Sequence, residues 1–365
     1  VELTLKKGIS QLMEEVVNAG LCTVCGACAG VCPYVRIYRE KVALIDLCGL
    51  NEGQCYEICP RTRTDFEALN RNVFGSGRED YILGTHRRLV FGRAADAGVR
   101  REGQYGGTVS ALMQYILASK RAEAALLADR NPNFPLLPEP IIARTPESVL
   151  KAAGSKYSAC PTLSLLEKAL KDYRSVAVVG RGCQVEAIRK KQALNPEANR
   201  IAPVIGLFCM WALDYRATES YLAPKLDIGC VKKYDIPEGD FVVYTKDGTK
   251  RFPFEEIKSR RRSTCDLCYD FTCELADISV GSTELENDWN TVIIRSELGE
   301  KLWRDSLGAG IVEEKRFPSS RIDILRNAAL GKKKRAVAGL KEKFGTDGTA
   351  FGYLVLSERE AGGYK

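Results

Sequence analysis

Among the charged residues that open the chain, Leu5, Ile9, Leu12, Met13 and Val16 recur at helical spacing, which predicts an amphipathic helix over residues 1–20. Residues 21–65 break that rhythm into short stretches rich in Gly and Cys. The irregular pattern from 66 to 100 predicts a connecting arm. Beyond it, apolar runs alternate with amphipathic ones. Gly106-Gly107 opens a predicted helix whose Val109, Leu112, Met113, Ile116 and Leu117 share one face. Ala122–Ala128 predicts a buried strand and Leu163–Tyr173 a helix. Ser175–Val179 predicts a second strand, followed by Gly180-Arg181-Gly182-Cys183-Gln184 and a helix, and Ile201–Phe208 a third that runs into Cys209. Phe241–Phe254 predicts a hairpin turning at Asp247-Gly248. Residues 301–365 read as helical and Lys-rich. The expected fold is α+β to α/β: a Cys-rich head over 1–65, an arm over 66–100, an α/β core with a mixed sheet over 101–300, and a helical basic tail over 301–365. Strands that end in Gly-rich turns before helices place ligand-binding loops at one sheet edge.

Composition changes little in this picture. The chain is 45% apolar and 28% charged, as globular proteins are, and its net charge of +7 fits a solvated surface. No aromatic-interleaved basic module indicates nucleic-acid binding. The longest apolar runs, such as Ile201–Met210, fall short of a bilayer span, and residues 1–20 do not form a charged-then-apolar leader. The expectation is a soluble cytoplasmic protein, in whose reducing surroundings fourteen cysteines mean metal or redox chemistry rather than disulfides. The single histidine, His86, excludes His-rich metal sites and His-based catalysis.

Cys22, Cys25, Cys28 and Cys32, with Pro33, give C-x2-C-x2-C-x3-C-P, the run of bacterial two-cluster ferredoxins. Three close thiolates wrap one cubane, and the fourth, redirected by Pro, serves the other cluster. The second run, Cys48, Cys55 and Cys59 with Pro60, is less regular. By the crossover rule, cluster I takes Cys22, Cys25, Cys28 and Cys59, and cluster II takes Cys32, Cys48 and Cys55. Glu52 stands where a central Cys is expected, so cluster II is either a [3Fe–4S] cluster or a [4Fe–4S] cubane with an unusual fourth ligand. Asp46, Glu52, Cys160 and Cys230 are the candidates for that ligand.

In the core, Cys265-Asp-Leu-Cys268 is a C-x2-C pair, while Cys183 and Cys209 each follow a predicted strand. They are either buried single thiols or a third cluster. Five stretches bear on the choice: Gly106-Gly-Thr-Val-Ser-Ala-Leu112, Ala153-Gly-Ser-Lys-Tyr157, Val178-Val-Gly-Arg-Gly-Cys-Gln184, Leu207-Phe-Cys209, and Cys265 through Gly281. In this order, and with Trp289 to Arg295 after them, they resemble the family of coenzyme F420 hydrogenase/dehydrogenase beta subunits over roughly residues 85–300. The chain departs from the usual family pattern at Arg181-Gly182 and at Cys273.

The resemblance implies FAD, which takes a hydride from reduced coenzyme F420, and a [4Fe–4S] cluster on Cys183, Cys209, Cys265 and Cys268. It implies cofactor contacts from Gly106, Gly107, Thr108, Val109, Ser110, Ser155, Lys156, Tyr157, Gly182 and Gln184. Gly-Gly at a helix start lets N–H groups approach a pyrophosphate, and the Thr108 and Ser110 hydroxyls and the Lys156 ammonium add donors. Asp270, Glu274 and Asp277 are candidates for ribityl or ribose hydroxyls. Gly180-Arg181-Gly182 lacks the full dinucleotide fingerprint, so a nicotinamide site is not expected. The partners implied are other redox subunits of a larger complex or a ferredoxin-like acceptor, with peripheral docking to a membrane complex open. Lys258 to Arg262 reads equally as a solvated loop or as a steering patch for an acidic ligand. Lys332-Lys-Lys-Arg335 reads as a hydrated helix end.

Overall fold

Apolar residues of alternate parity divide between two cores on either side of an eight-stranded sheet. The computed structural model describes residues 7–237, 239–282 and 288–364. Its sheet strands are β1 (Arg88–Ala94), β2 (Ala124–Arg130), β3 (Pro138–Ala143), β4 (Val176–Arg181), β5 (Ile201–Leu207), β6 (Ile278–Gly281), β7 (Asn290–Ile294) and β8 (Val312–Arg316). They lie in the order β8-β1-β7-β6-β5-β4-β2-β3. The central strands β6, β5, β4 and β2 are parallel, and the other four join antiparallel. Strands buried on both faces read as unbroken apolar runs, which is why β4 and β5 were legible.

Helix α1 (Thr108–Ala118) covers one face: its Leu112, Met113 and Ile116 pack with Ala125, Leu127, Ala177 and Ile205. On the other face, Val185 and Ile188 of helix α2 (Gly182–Leu194) pack with Leu126, Val176, Val178 and Val204. That second core continues without a break into the head, where Ile9, Leu12, Val16, Cys25, Cys55 and Ile58 belong to the same cluster. Polar contacts reinforce the seam. Leu163 N–H donates to Cys25 O at 3.1 Å, Thr264 Oγ1 to Leu21 O at 2.7 Å, and Arg61 pairs with Glu186 at 3.0 Å with both side chains buried. At Gly26 (φ +94°) an added Cβ would collide with the Pro161 and Ser164 backbone, so head and core meet here backbone to backbone.

The structure departs from expectation in four places. The arm contributes β1, in the interior of the sheet, because Val90 and Phe91 are buried there. The tail is not wholly helical: Val312–Arg316 forms the edge strand β8, whose Glu313 pairs with Arg93 across the ladder at 2.6 Å. Its apolar content is too low to mark it as a strand. The first helix is α-helical only over Ile9–Leu12 and widens to a π-helix over Met13–Asn18, while Leu5 lies outside the described residues. The hairpin pairs Thr245 with Gly248, so Lys246-Asp247 makes the turn.

Among the described residues no helix is long and apolar enough to cross a membrane.

Candidate functional site

The carboxyl ends of β4 and β5 open into a cavity of about 610 Å³, within the usual size range of small-molecule sites. Its wall includes Gly107 to Ser110, Ser155 to Tyr157, Gly180, Arg181 and Gln184, with Leu207 to Ala212 and Phe254 on other sides. The α1 N-terminus supplies the polar feature. Gly107, at φ +66°, caps the helix. A helix start leaves four N–H groups without intrahelical partners. Here Thr108 N–H is taken by Asn290 Oδ1 at 3.2 Å, and Ala111 N–H by Gly107 O. Among the described residues Val109 and Ser110 N–H have no partner, at the positive end of the helix dipole. These features suit a large, mainly apolar ligand carrying an anionic group.

Several expected contacts are redirected. The Thr108 hydroxyl is buried and donates to Gly92 O at 2.9 Å. Gly106 lies outside the cavity wall; an added Cβ would stand 2.9 Å from Gly92 O, so it serves close packing on β1. Lys156 reaches the wall, but its ammonium donates to Ala152 O, Ala153 O and Gly154 O, and burial lowers its pKa to about 8. All three of its protons are therefore engaged at a chain turn. Tyr157 donates to Asp235 Oδ1 at 2.8 Å and accepts from Gln104 at 2.7 Å. Gln184 bonds Arg181 N–H and Cys160 O, both at 3.0 Å.

The three carboxylates are placed away from the cavity wall. Asp270 accepts from Glu274 N–H, Glu274 is buried between Arg78 and Lys333, and Asp277 accepts from Val204 N–H and Ser296 Oγ. Gly182 also lies outside the wall, its Cα hydrogen facing the Asp270 carboxylate: a Cβ there would come within 2.8 Å. Asp277 also reaches α2 through Arg189 at 3.3 Å, so the three carboxylates expected to bind sugar hydroxyls are engaged with the protein's own groups.

Eleven of the fourteen cysteines fall into three groups. Cys22, Cys25, Cys28 and Cys59 line one small cavity with Arg61, so the second run delivers its last Cys to the first run's three. Burial raises all four thiols, Cys59 to about 11. Iron would reverse this, because a coordinating thiol loses its proton. Cys55 has Cys32 and Cys48 as neighbours: burial first, then the Cys32 thiolate, raises it to about 11. Of the candidates for its fourth ligand, Cys230 hydrogen-bonds Asp227 at 3.2 Å and Cys160 faces the large cavity.

The third group joins Cys183 at the start of α2, Cys209 after β5, and the Cys265/Cys268 pair. Cys209 N–H donates to Phe271 O at 2.9 Å, and Ala212 N–H to Cys265 Sγ at 3.3 Å, which binds the two loops together. Burial pushes Cys209 up to about 12, against the pull of Lys332 and Arg181 and with the push of Cys265 and Cys183. Cys183 also acts on Cys22 and Cys25, so it faces the head across the seam. Among the described residues no three His, Cys, Asp or Glu side chains crowd closely enough to share one metal ion. A cubane does not require that, since each thiolate binds its own iron.

Sequence reasoning missed two residues here. Lys332 and Lys333 are 1% and 0% exposed, so the supposedly hydrated helix end is buried. The signal was present: Leu325, Ala329, Ala336, Val337 and Leu340 form a helical stripe that runs through both lysines.

Two models of the coenzyme F420 hydrogenase/dehydrogenase beta subunit match the chain, the N-terminal one over residues 89–167 and the C-terminal one over 173–320. The coenzyme F420 hydrogenase subunit beta of Methanothermobacter thermautotrophicus is 32% identical, over 72% of this chain and 97% of its own length. A subunit of the F(420)H(2) dehydrogenase of Methanosarcina mazei is 31% identical over 79% of this chain and 83% of its own. A chain of the xenon-derivatised F420-reducing [NiFe] hydrogenase complex from Methanosarcina barkeri superposes with a TM-score of 0.67 at 32% identity, covering 72% of this chain and 94% of that one.

Proposed function

Because the chain belongs to the family of coenzyme F420 hydrogenase/dehydrogenase beta subunits, we propose that it is the oxidoreductase component of a complex: it oxidises reduced coenzyme F420 at FAD and passes single electrons through iron–sulfur clusters to a partner protein, or runs the same path in reverse. The supporting observation is that one cavity wall contains both the α1 N-terminus and Cys209. When bound, FAD would exchange a hydride with the deazaflavin and the clusters would carry electrons singly, a conversion that a two-electron donor and one-electron carriers require.

The chain's own residues would bind, orient and shield. Val109 and Ser110 N–H would take the FAD pyrophosphate, with Gly107 in the left-handed conformation that opens the helix. Trp211 and Phe254, with ring centroids 6.2 Å apart, would keep water from one wall. No side-chain acid or base is assigned. Cys183, Cys209, Cys265 and Cys268 would hold the inner cluster, and residues 1–65 would form a two-cluster ferredoxin-like domain. Ile45, Leu47 and Leu50 are exposed on either side of Cys48 in the chain, an apolar rim suited to another redox protein of the complex or to a ferredoxin-like acceptor.

Anaerobically purified protein should yield FAD on extraction, and adding reduced F420 should bleach its flavin absorbance and bring up cluster EPR signals. Flavin-replete protein that leaves reduced F420 untouched would overturn the reading. Clusters without FAD would favour a pure electron relay.

A further inference from the structure

We propose that Lys332 and Arg181 are the counter-cations of the inner cluster and raise its reduction potential, an inference that rests on the reading of Cys183, Cys209, Cys265 and Cys268 given above. Lys332 sits on helix α3 (Ile322–Phe344), past residue 320 where the family match ends. Its ammonium donates to Cys209 O and, at 2.8 Å, to Asp270 O, two residues after Cys268. It is thus wedged between the loops that carry the two cysteines.

Its neighbour provides a control within the same helix turn. Lys333 is equally buried and pairs with Glu274, which Arg78 also holds. Lys332 has no carboxylate within ion-pair distance among the described residues. A buried ammonium without an anion costs several kcal/mol, so a fold that pairs one lysine and leaves the next unpaired implies another source of negative charge. The thiols provide it. Its two carbonyl acceptors belong to the loops of Cys209 and of Cys265 and Cys268, so the thiolates that would hold iron there supply the charge.

Arg181 shows the same pattern from the opposite side. It ends β4, lines the large cavity, and has one hydrogen bond from its guanidinium, to Cys160 O at 3.5 Å, again without a carboxylate partner among the described residues. It stands two residues before Cys183 and pairs in the sheet with Leu207, two residues before Cys209, so it lies beside both cysteines' loops. Four thiolates around a cubane leave it negative, and taking up one electron makes it more so without moving a proton. Fixed cations therefore favour the reduced form, and net charge is one of the main determinants of cluster potential.

The test is an EPR-monitored redox titration of whole, anaerobically purified protein, with iron counted on the same samples. In Lys332→Met the inner cluster's reduced-to-oxidised ratio at fixed potential should fall about tenfold, a midpoint shift of about 59 mV for one electron. The head signals should stay in place, and Lys332→Arg should restore most of the loss. Arg181→Thr should move the same midpoint in the same direction, by less, since its wall faces the cavity. Full iron with an unmoved midpoint in Lys332→Met overturns the proposal. If that variant loses iron, an unmoved midpoint in Arg181→Thr does so. A parent protein without an inner cluster overturns the underlying reading as well.

Discussion

The head and the core assemble similar sets of thiols by opposite means. In the head's first group, Cys22, Cys25 and Cys28 lie on one short segment, and only Cys59 comes from further along the chain. In the core, the thiols come from a helix start at Cys183, a strand end at Cys209 and a loop at Cys265 and Cys268. The head's geometry is local and follows from spacing. The core's exists only once β4 and β5 are parallel neighbours, so that their carboxyl ends share one edge. Local sites can be read from a sequence; sites built at a sheet edge need the sheet first.

Breaking each group separately should divide the proposed electron path at a known point. With Cys209→Ser, the inner cluster should be lost while the head's EPR signals persist, and reduced F420 should bleach the flavin without reducing the head. Cys28→Ser should do the converse, leaving flavin bleaching and inner-cluster reduction intact. Stopped-flow absorbance with freeze-quench EPR would distinguish them. Head reduction at the parent rate in Cys209→Ser would show that the two groups are not in series.

The next largest effect falls on the seam between them. Arg61 is buried, pairs with Glu186, stacks over Tyr353 at 4.6 Å and lines the head's cavity. Burial raises Glu186 to about 7 even with Arg61 beside it. Arg61→Met would leave that carboxyl buried and alone, a loss of about 3–5 kcal/mol. A thermal midpoint unchanged in Arg61→Met would mean that head and core are held by the apolar cluster alone.

Much of this organisation was legible, and the exceptions have physical causes. The parallel strands and α1 follow from their apolar runs and faces, and the Cys spacing pointed to Cys59 joining the first run. β1 was missed because the irregular 66–100 stretch hides a short apolar segment, and β8 because an edge strand needs few apolar side chains. The carboxylates Asp270, Glu274 and Asp277 looked like ligand groups because a sequence gives their charge and not their partners, which here come from Arg78, Val204, Lys333 and other distant positions. The sequence likewise could not reveal that Lys156 is committed to nearby carbonyls.

A smaller effect tests how the tail holds the arm. Arg326 of α3 pairs with Asp80 at 2.5 Å. Burial works against the Asp80 charge, but Leu83 N–H, Arg326 and Ile82 N–H hold its carboxyl below the usual range. A folded value below the unfolded one adds stability above about pH 4, and that contribution fades as pH falls through the folded value. Asp80→Asn should cost about 1 kcal/mol at pH 7, and the gap in Tm from the parent should narrow toward pH 3. A gap that stays constant across that range would assign the loss to packing instead of charge.

The smallest effect is expected where the two basic runs part ways. Lys332 and Lys333 are buried, whereas Lys258 to Arg262 satisfies its charge locally. Lys258 pairs with Glu255 at 3.0 Å, Arg260 lies over the Tyr221 ring at 3.9 Å, Arg261 meets Asp266 at 3.0 Å, and Arg262 meets Glu40 at 3.0 Å. Lys258 and Glu255 are both exposed, and such pairs contribute about 0–1 kcal/mol. Lys258→Ala should therefore shift stability by no more than about 0.5 kcal/mol and leave the KM for reduced F420 within about twofold at low and at physiological salt. A KM that rises severalfold at low salt and recovers in high salt would show that this run steers an acidic ligand. The contrast between the runs would then be one of two working cationic sites, one at the surface and one in the interior.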